Sequence, residues 1–273
     1  MNAGIIFNSK RKVKIGISIL GLALVFVAMA CSVSITVATE DRDDSFTVGD
    51  SPKLVVSNTN GRIIVTPATD DTIRIQTTLK KPEDLKYDVT QSGDTITVEV
   101  ENQRSGVFHL GRSTGADIEI TAPPNTTVEL RTSNGKVEIY GMQRSGTLRT
   151  SNGKIVMEDV SGDFVVITSN GKVTITRAIG TFDVETSNGR IEFNGEIVSG
   201  GNNSMTTSNG SVEITLLGTP SVELDASTSN GSVTTSLPIL TTNIGDEHHI
   251  IGTIGTGDAD LFVRSSNGSV KVQ

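Results

Sequence analysis

The chain has 273 residues, room for one or two domains, with 28 glycines, no tryptophan, 4 % aromatic and 35 % apolar residues. That composition excludes a thick, aromatic-rich core, and the wealth of Thr, Ser, Val, Ile and Gly without helical periodicity after residue 40 marks a β protein. The formal charge is −8, and because Lys10, Arg11, Lys12 and Lys14 are the only charges before Glu40, the remainder carries −12; such a body argues against a nucleic-acid partner, since phosphates need facing cations.

The first predicted element is hydrophobic. "KRKVK" (10–14) precedes "IGISILGLALVFVAMAC" (15–31), a basic segment, an apolar run and small residues before the chain's one cysteine. This is the layout of an export signal. Ala28 and Ala30 before Cys31 match a lipoprotein signal, although that signal prefers Leu three residues before the cysteine. The uncharged run continues to Thr39, long enough to span a bilayer as one helix. Residues 1–39 are therefore expected to be either a signal ending in lipidated Cys31 or an uncleaved anchor. Both put the body outside the cytoplasmic membrane, because the cations stay inside. "EDRDDS" (40–45) is expected to be a charged linker.

Residues 46–125 hold irregular strand-like runs, among them "PKLVVS", "DTIRIQTTLKK", "DTITVEVE" and "ADIEITAPP", with "SGD" (92–94) as a hairpin turn. This region is expected to cap the repeats on its C-terminal side.

From 126 to 273 the chain repeats itself. The pair Asn-Gly recurs at Asn134, Asn152, Asn170 and Asn188 with a spacing of 18, at Asn209 and Asn230 with a spacing of 21, and at Asn267 after 37; "SNTNGRIIV" around Asn60 is a weaker copy. Three residues after each Asn stands Val or Ile, and four before stand Leu130, Leu148, Val166, Val184, Met205, Ala226 and Val263. The alternation has the period of a strand, so each copy reads as strand, Asn-Gly corner, strand. Asn and Gly both tolerate positive φ, which a tight corner can require.

An antiparallel meander and a parallel solenoid both fit this pattern. Thr stands two before Asn at 132, 150, 168, 186, 207 and 228. A hairpin gives no reason for that identity, whereas stacked coils turn identical side chains into ladders at ~4.8 Å spacing. The expectation is all-β: a parallel β-solenoid, or β-helix, with coils of 18–21 residues, preceded by one N-terminal hydrophobic helix. "SGGNN" (199–203) would bulge outward, and the 37-residue gap would hide one degenerate coil.

The succession "VSNTNGRIIV", "TTLKK", "DTITVEV" and "ADIEITAPPNTTVELRTSNGKVEIYG", with further TSNG copies after it, resembles the bacterial putative-adhesin family, a domain of unknown function. The similarity covers roughly residues 46–273. It implies an exported or membrane-anchored β-solenoid and brings no catalytic residues.

Little else in the chain carries chemistry. "GRSTG" (111–115) matches a nucleophile elbow, but a strand comes next where that motif needs a helix. His248 and His249 are adjacent, and on a strand would point to opposite faces, so they do not make a metal pair. "GTGDADLF" (255–262) resembles one turn of a calcium-binding β-roll, once and at the wrong spacing. Neither a catalytic residue, a metal ligand nor a cofactor is expected. One column stands out: two after Asn stand Lys136, Lys154, Lys172 and Arg190, then Ser211, Ser232 and Ser269. In stacked coils the four cations line one edge, either as a stripe for envelope polyanions or as a charged edge that discourages pairing. The expected function is a non-enzymatic, membrane-anchored binding or scaffold module with an envelope polysaccharide or protein as partner. A self-assembling envelope element and a polysaccharide-active β-helix enzyme are the alternatives.

Overall fold

The computed structural model describes residues 38–103 and 114–273; the hydrophobic segment before residue 38, with Cys31, lies outside them. Among the described residues the strands are β1 (Thr39–Thr47), β2 (Lys53–Asn60), β3 (Ile63–Pro67), β4 (Thr72–Lys80), β5 (Leu85–Ser92), β6 (Thr95–Asn102), β7 (Gly115–Ala122), β8 (Thr127–Asn134), β9 (Val137–Tyr140), β10 (Gly146–Thr150) and β11 (Ile155–Glu158). Next come β12 (Ser161–Thr168), β13 (Val173–Asn188), β14 (Ile191–Ile197), β15 (Asn202–Asn209), β16 (Val212–Leu216), β17 (Val222–Asn230), β18 (Val233–Thr235), β19 (Ile239–Asp246), β20 (His249–Ile254), β21 (Asp260–Asn267) and β22 (Val270–Val272). The fold is all-β and solenoid-like. Its one helical element among these residues is the turn Pro82–Asp84, and no described helix is long and apolar enough to cross a membrane.

Pairing decides between the meander and the solenoid. Leu130 lies opposite Leu148, Leu148 opposite Val166, and Val166 opposite Val184, all in parallel register, so each coil stacks on the one 18 residues earlier. The arms after the corner do the same: Ile63, Val137, Ile155, Val173 and Ile191 face one another in turn. These residues are all at most 1 % exposed. Each is an apolar side chain worth roughly 1.5–3 kcal/mol when buried. Because successive residues of a strand alternate in direction, the inward columns make one continuous core, while the outward columns are mixed, with Ile64, Val156, Val165 and Ile167 half-buried among polar residues. Phe164, Phe182 and Phe193 fill the middle, with ring centroids 6.0 Å and 5.1 Å apart.

The stacking order is not the chain order. The Asn60 coil (β2–β3) sits between β6 and β8 on one side of the solenoid and between β7 and β9 on the other. The boundary expected near residue 125 is therefore not a structural one: a complete coil of the earlier region lies inside the stack. At the other end the Asn267 coil (β21–β22) is inserted between the Asn209 and Asn230 coils.

Three further expectations are corrected. Residues 40–45 are not a linker but the middle of β1, antiparallel to β4. Their charges fall alternately on the exposed and half-buried faces of an edge strand, Asp41 accepts from Thr78 (2.9 Å) and Asp44 from Tyr87 (2.7 Å), and such charges guard an open edge. The 37-residue gap holds no degenerate coil; it holds the antiparallel hairpin β19–β20, which covers β17. Of "SGGNN", Asn203 does not bulge outward. It is 2 % exposed; its Oδ1 accepts from the Phe182 amide at 2.9 Å and its Nδ2 donates to the Asp260 carbonyl at 3.1 Å.

Candidate functional site: the corner ribbon

The Asn-Gly corners lie above one another and form a ribbon along the solenoid. Its innermost column is the threonines, each donating to the glycine carbonyl of the neighbouring coil: Thr150 to Gly135 (3.0 Å), Thr168 to Gly153 (3.2 Å), Thr186 to Gly171 (3.2 Å) and Thr207 to Gly189 (2.9 Å). Ser265 and Thr228 do the same to Gly210 (2.8 Å) and Gly268 (2.7 Å). A hydroxyl buried beside the core thus satisfies a carbonyl that the corner would leave unpaired.

The glycines are needed for closeness more than for backbone sign. Positive φ, the expected reason for the pair, is found at Gly61 (+116°), Gly210 (+159°) and Gly268 (+156°), but not at Gly135, Gly153, Gly171 or Gly189, nor at any corner asparagine. A Cβ on Gly153 would stand 1.8 Å from the Gly135 oxygen, and one on Gly171 would stand 1.8 Å from the Gly153 oxygen. Stacked coils bring backbone onto backbone here, and a side chain has no room.

The asparagines form one ladder. Asn134 Nδ2 donates to Asn60 Oδ1 (2.7 Å), Asn152 to Asn134, Asn170 to Asn152, Asn188 to Asn170 and Asn209 to Asn188 (each 2.8 Å), Asn267 to Asn209 and Asn230 to Asn267 (each 2.9 Å). At the foot, Asn60 Nδ2 donates to the Thr114 carbonyl (2.9 Å). All the amides point the same way.

The structure brings Lys136, Lys154, Lys172 and Arg190 into one column, one per coil, and adds Arg62 from the Asn60 coil below them. Sequence reasoning missed Arg62, although the rule "two after Asn" applied to the weaker copy finds it. The column is not purely basic. Arg62 pairs with Glu119, Lys136 with Glu138 (2.7 Å), Lys172 with Glu192 (2.5 Å) and Arg190 with Glu192 (3.6 Å). Burial works against the Glu138 carboxylate, but hydrogen bonds from Lys136 and Tyr140 hold its pKa below the usual value. The same bond, with some burial, pushes the Tyr140 phenol up to about 12. Lys154, exposed at mid-column, is in none of these pairs.

Below the ribbon lies a polar cleft of about 370 Å³ lined by Asp41, Arg42, Arg62, Thr78, Asp117 and Glu119. Burial opposes the charge of Asp117, but Lys80 and Arg62 outweigh it and lower its pKa. No motif announced this cleft, since its residues come from four segments far apart in sequence.

The other candidates stay apart. Residues 111–113 of "GRSTG" lie outside the described residues, and so does Cys31. His248 Nδ1 lies 2.6 Å from the Gly231 carbonyl and His249 Nε2 lies 2.8 Å from Asp225 Oδ1, so the two rings face different partners. In "GTGDADLF" the Thr256 hydroxyl donates to Asp258 at 2.8 Å, and both their amides donate to the Ser221 hydroxyl, which closes a turn.

The family model of the Toastrack domain, DUF4097, matches residues 112–273. The chain belongs to the Toastrack family. Solved structures of similar arrangement include a putative adhesin from Bacteroides fragilis NCTC 9343 (12 % identity, TM-score 0.44, 85 % of this chain and 97 % of that one). Others are a putative adhesin from Parabacteroides distasonis ATCC 8503 (12 %, TM-score 0.39, 85 % and 97 %) and a putative cell adhesion protein from Clostridium sporogenes ATCC 15579 (10 %, TM-score 0.36, 85 % and 98 %). No curated protein matches the chain. The family match begins after the Asn60 coil, yet in the Toastrack stack that coil is continuous with the rest in register and ladder alike.

Proposed function

We propose that this Toastrack protein is a non-enzymatic, membrane-anchored binding or scaffold module outside the cytoplasm, with an adhesin-like role, and that its corner ribbon is the recognition surface. The observation that carries the reading is the ribbon's periodicity. Eight coils present asparagine amides at a spacing of ~4.8 Å, beside exposed or half-buried hydroxyls of Thr59, Ser151, Ser169 and Ser208 and the basic column. A polymer laid along it meets the same groups at each step, and many weak contacts sum into useful affinity. Amides and hydroxyls suit sugar hydroxyls, while Lys154, in no ion pair among the described residues and flanked by Glu-paired cations, suits anionic substituents on an envelope polysaccharide.

The test is retention of the purified full chain on isolated cell-envelope polysaccharide. Replacing Lys136, Lys154, Lys172 and Arg190 together by Gln is expected to lower retention several-fold at low salt, and added salt is expected to lower that of the parent. Unchanged retention removes the ribbon from the reading.

The hydrophobic segment joins the body at β1, at one end of the stack. Anchored there, the solenoid stands with its β17–β20 end farthest from the membrane, about ten strand spacings or ~50 Å away. Mass spectrometry of the purified protein separates the two anchors: a chain that starts at an acylated Cys31 marks lipidation, and one that keeps residues 15–30 marks a span.

A further inference from the structure

The inserted coil has a property that the binding reading does not use. β21 and β22 are held on both sides by parallel strands: the Gly210 amide donates to the Asn267 carbonyl (3.0 Å) and the Gly268 amide to the Asn230 carbonyl (3.0 Å). Likewise the Val212 amide donates to Ser269 (3.0 Å) and the Val270 amide to Ser232 (2.9 Å). Leu261, Val263, Ser265, Val270 and Val272 are at most 1 % exposed.

Both walls of this slot come earlier in the chain than the coil that fills it. One wall is β15–β16, the other β17–β18, and the outer wall is already covered by β19–β20. Until residues 260–272 arrive, two strand edges face one another across about two spacings, ~9.6 Å, with open N–H and C=O groups. The segment that fits between them is narrowly defined: apolar residues six and four before an asparagine, a hydroxyl two before it, glycine after it, and β-branched residues three and five after it. Leu261, Val263, Ser265, Asn267, Gly268, Val270 and Val272 meet that description. The same segment of a second copy meets it equally.

The connection is short. Residues 255–259 carry the chain from β20, on one side of β17, to β21 on the other. Gly255 has φ +67°, and a Cβ there would lie 2.5 Å from the Pro220 carbonyl oxygen. A tight hinge joining an inserted element to the body is the arrangement from which segments exchange between copies.

We propose that residues 260–272 are an exchangeable coil, and that the slot between the Asn209 and Asn230 coils accepts this coil from a second copy of the chain, so that the protein associates by coil exchange. Ser204 and Phe262 are register partners across the slot edge and both reach the surface, so they report on it. In a Cys31→Ser background, detergent-solubilised full-length chains carrying either Ser204→Cys or Phe262→Cys are unfolded, mixed, refolded at rising concentration and oxidised. The expected result is a 204–262 disulfide joining two chains, its share rising with concentration and rising several-fold further when Gly255→Val strains the hinge. A Ser57→Cys chain, whose cysteine does not border the slot, is expected to give none with Phe262→Cys. A chain carrying both substitutions reports whether the pair bonds in the folded protein. If that chain forms its internal bond while the mixed single-cysteine chains stay unlinked at every concentration, with or without Gly255→Val, the proposal is overturned. The ribbon cations are untouched in every variant, so this outcome is independent of polysaccharide retention.

Discussion

At Gly153 one added carbon would sit 1.8 Å from a neighbouring carbonyl oxygen, and that oxygen belongs to backbone held by coils on both sides. Gly153→Ala is expected to cost about 3 kcal/mol, as overpacking of a rigid site does. Gly93 gives the contrast: its φ is +59° but nothing lies within 4 Å of its added Cβ, so Gly93→Ala is expected to cost only about 1 kcal/mol of backbone strain. Denaturant midpoints of the two variants measure the difference. The Asn ladder has its own gradient. Asn152→Ala removes two side-chain hydrogen bonds, to Asn134 and from Asn170, and is expected to lose about 1 kcal/mol, whereas Asn230→Ala, at the ladder's end, is expected to lose less. Tyr140 and Glu138 set a pH window. A phenol whose pKa is raised on folding to about 12 contributes stability that is whole below the ordinary tyrosine range and is lost as pH climbs through it towards 12. The lowered carboxyl of Glu138 contributes stability that is present above the ordinary glutamate value and is lost as pH falls below it. Midpoints recorded against pH are expected to fall at both ends, and Tyr140→Phe is expected to reduce the slope of the alkaline limb. An unchanged alkaline limb would show that this phenol does not couple to folding.

Among the elements, β21 is the informative one. A strand near the end of the described chain would ordinarily fray, but this one is enclosed by β15 and β17. Its amides are expected to exchange with solvent as slowly as those of β12, while the edge strands β1, β5 and β19 exchange faster. Fast exchange at Leu261 and Val263 would contradict the enclosed position. Phe182, packed between Phe164 and Phe193, is the matching test for the core: Phe182→Ala is expected to cost about 4 kcal/mol. These elements also show what a sequence can and cannot express. The inward columns were legible because a parallel stack copies each residue's environment from coil to coil, so Val137, Ile155 and Val173 announce one another. The same copying hides the order of stacking: every corner matches every other, and nothing in "SSNGSV" says that it belongs between Asn209 and Asn230. The strand character of β1 was masked because its charges guard an edge and so look like those of a linker. The Asn-Gly pair pointed correctly to a corner, but the usual association with positive φ concealed the close backbone approach that excludes a side chain. Arg62 was within reach of the rule that found the other cations, but the cleft beside it depends on β1, β4 and β7 meeting at the Asn60 corner, which only the fold provides.

For the molecule as a whole, stacking sets length in steps of one strand spacing. Duplicating one 18-residue unit, such as residues 153–170, is expected to lengthen the particle by ~4.8 Å without disturbing either end. Small-angle scattering measures the change, and an aggregated or unfolded product would show that the coils are not interchangeable. The enclosed positions of the Asn60 and Asn267 coils give this arithmetic a direction. An array whose first and last units lie at its tips can grow by adding units to either tip. Here the Asn60 and Asn267 coils are locked between neighbours, so neither is a tip on which a further coil could stack. The interior, where Asn134, Asn152, Asn170 and Asn188 keep a spacing of 18, is the stretch that accommodates gain or loss of a coil in register. That uniform stretch is where duplication and deletion can act as on a ruler, while the two differently built ends are carried along unchanged.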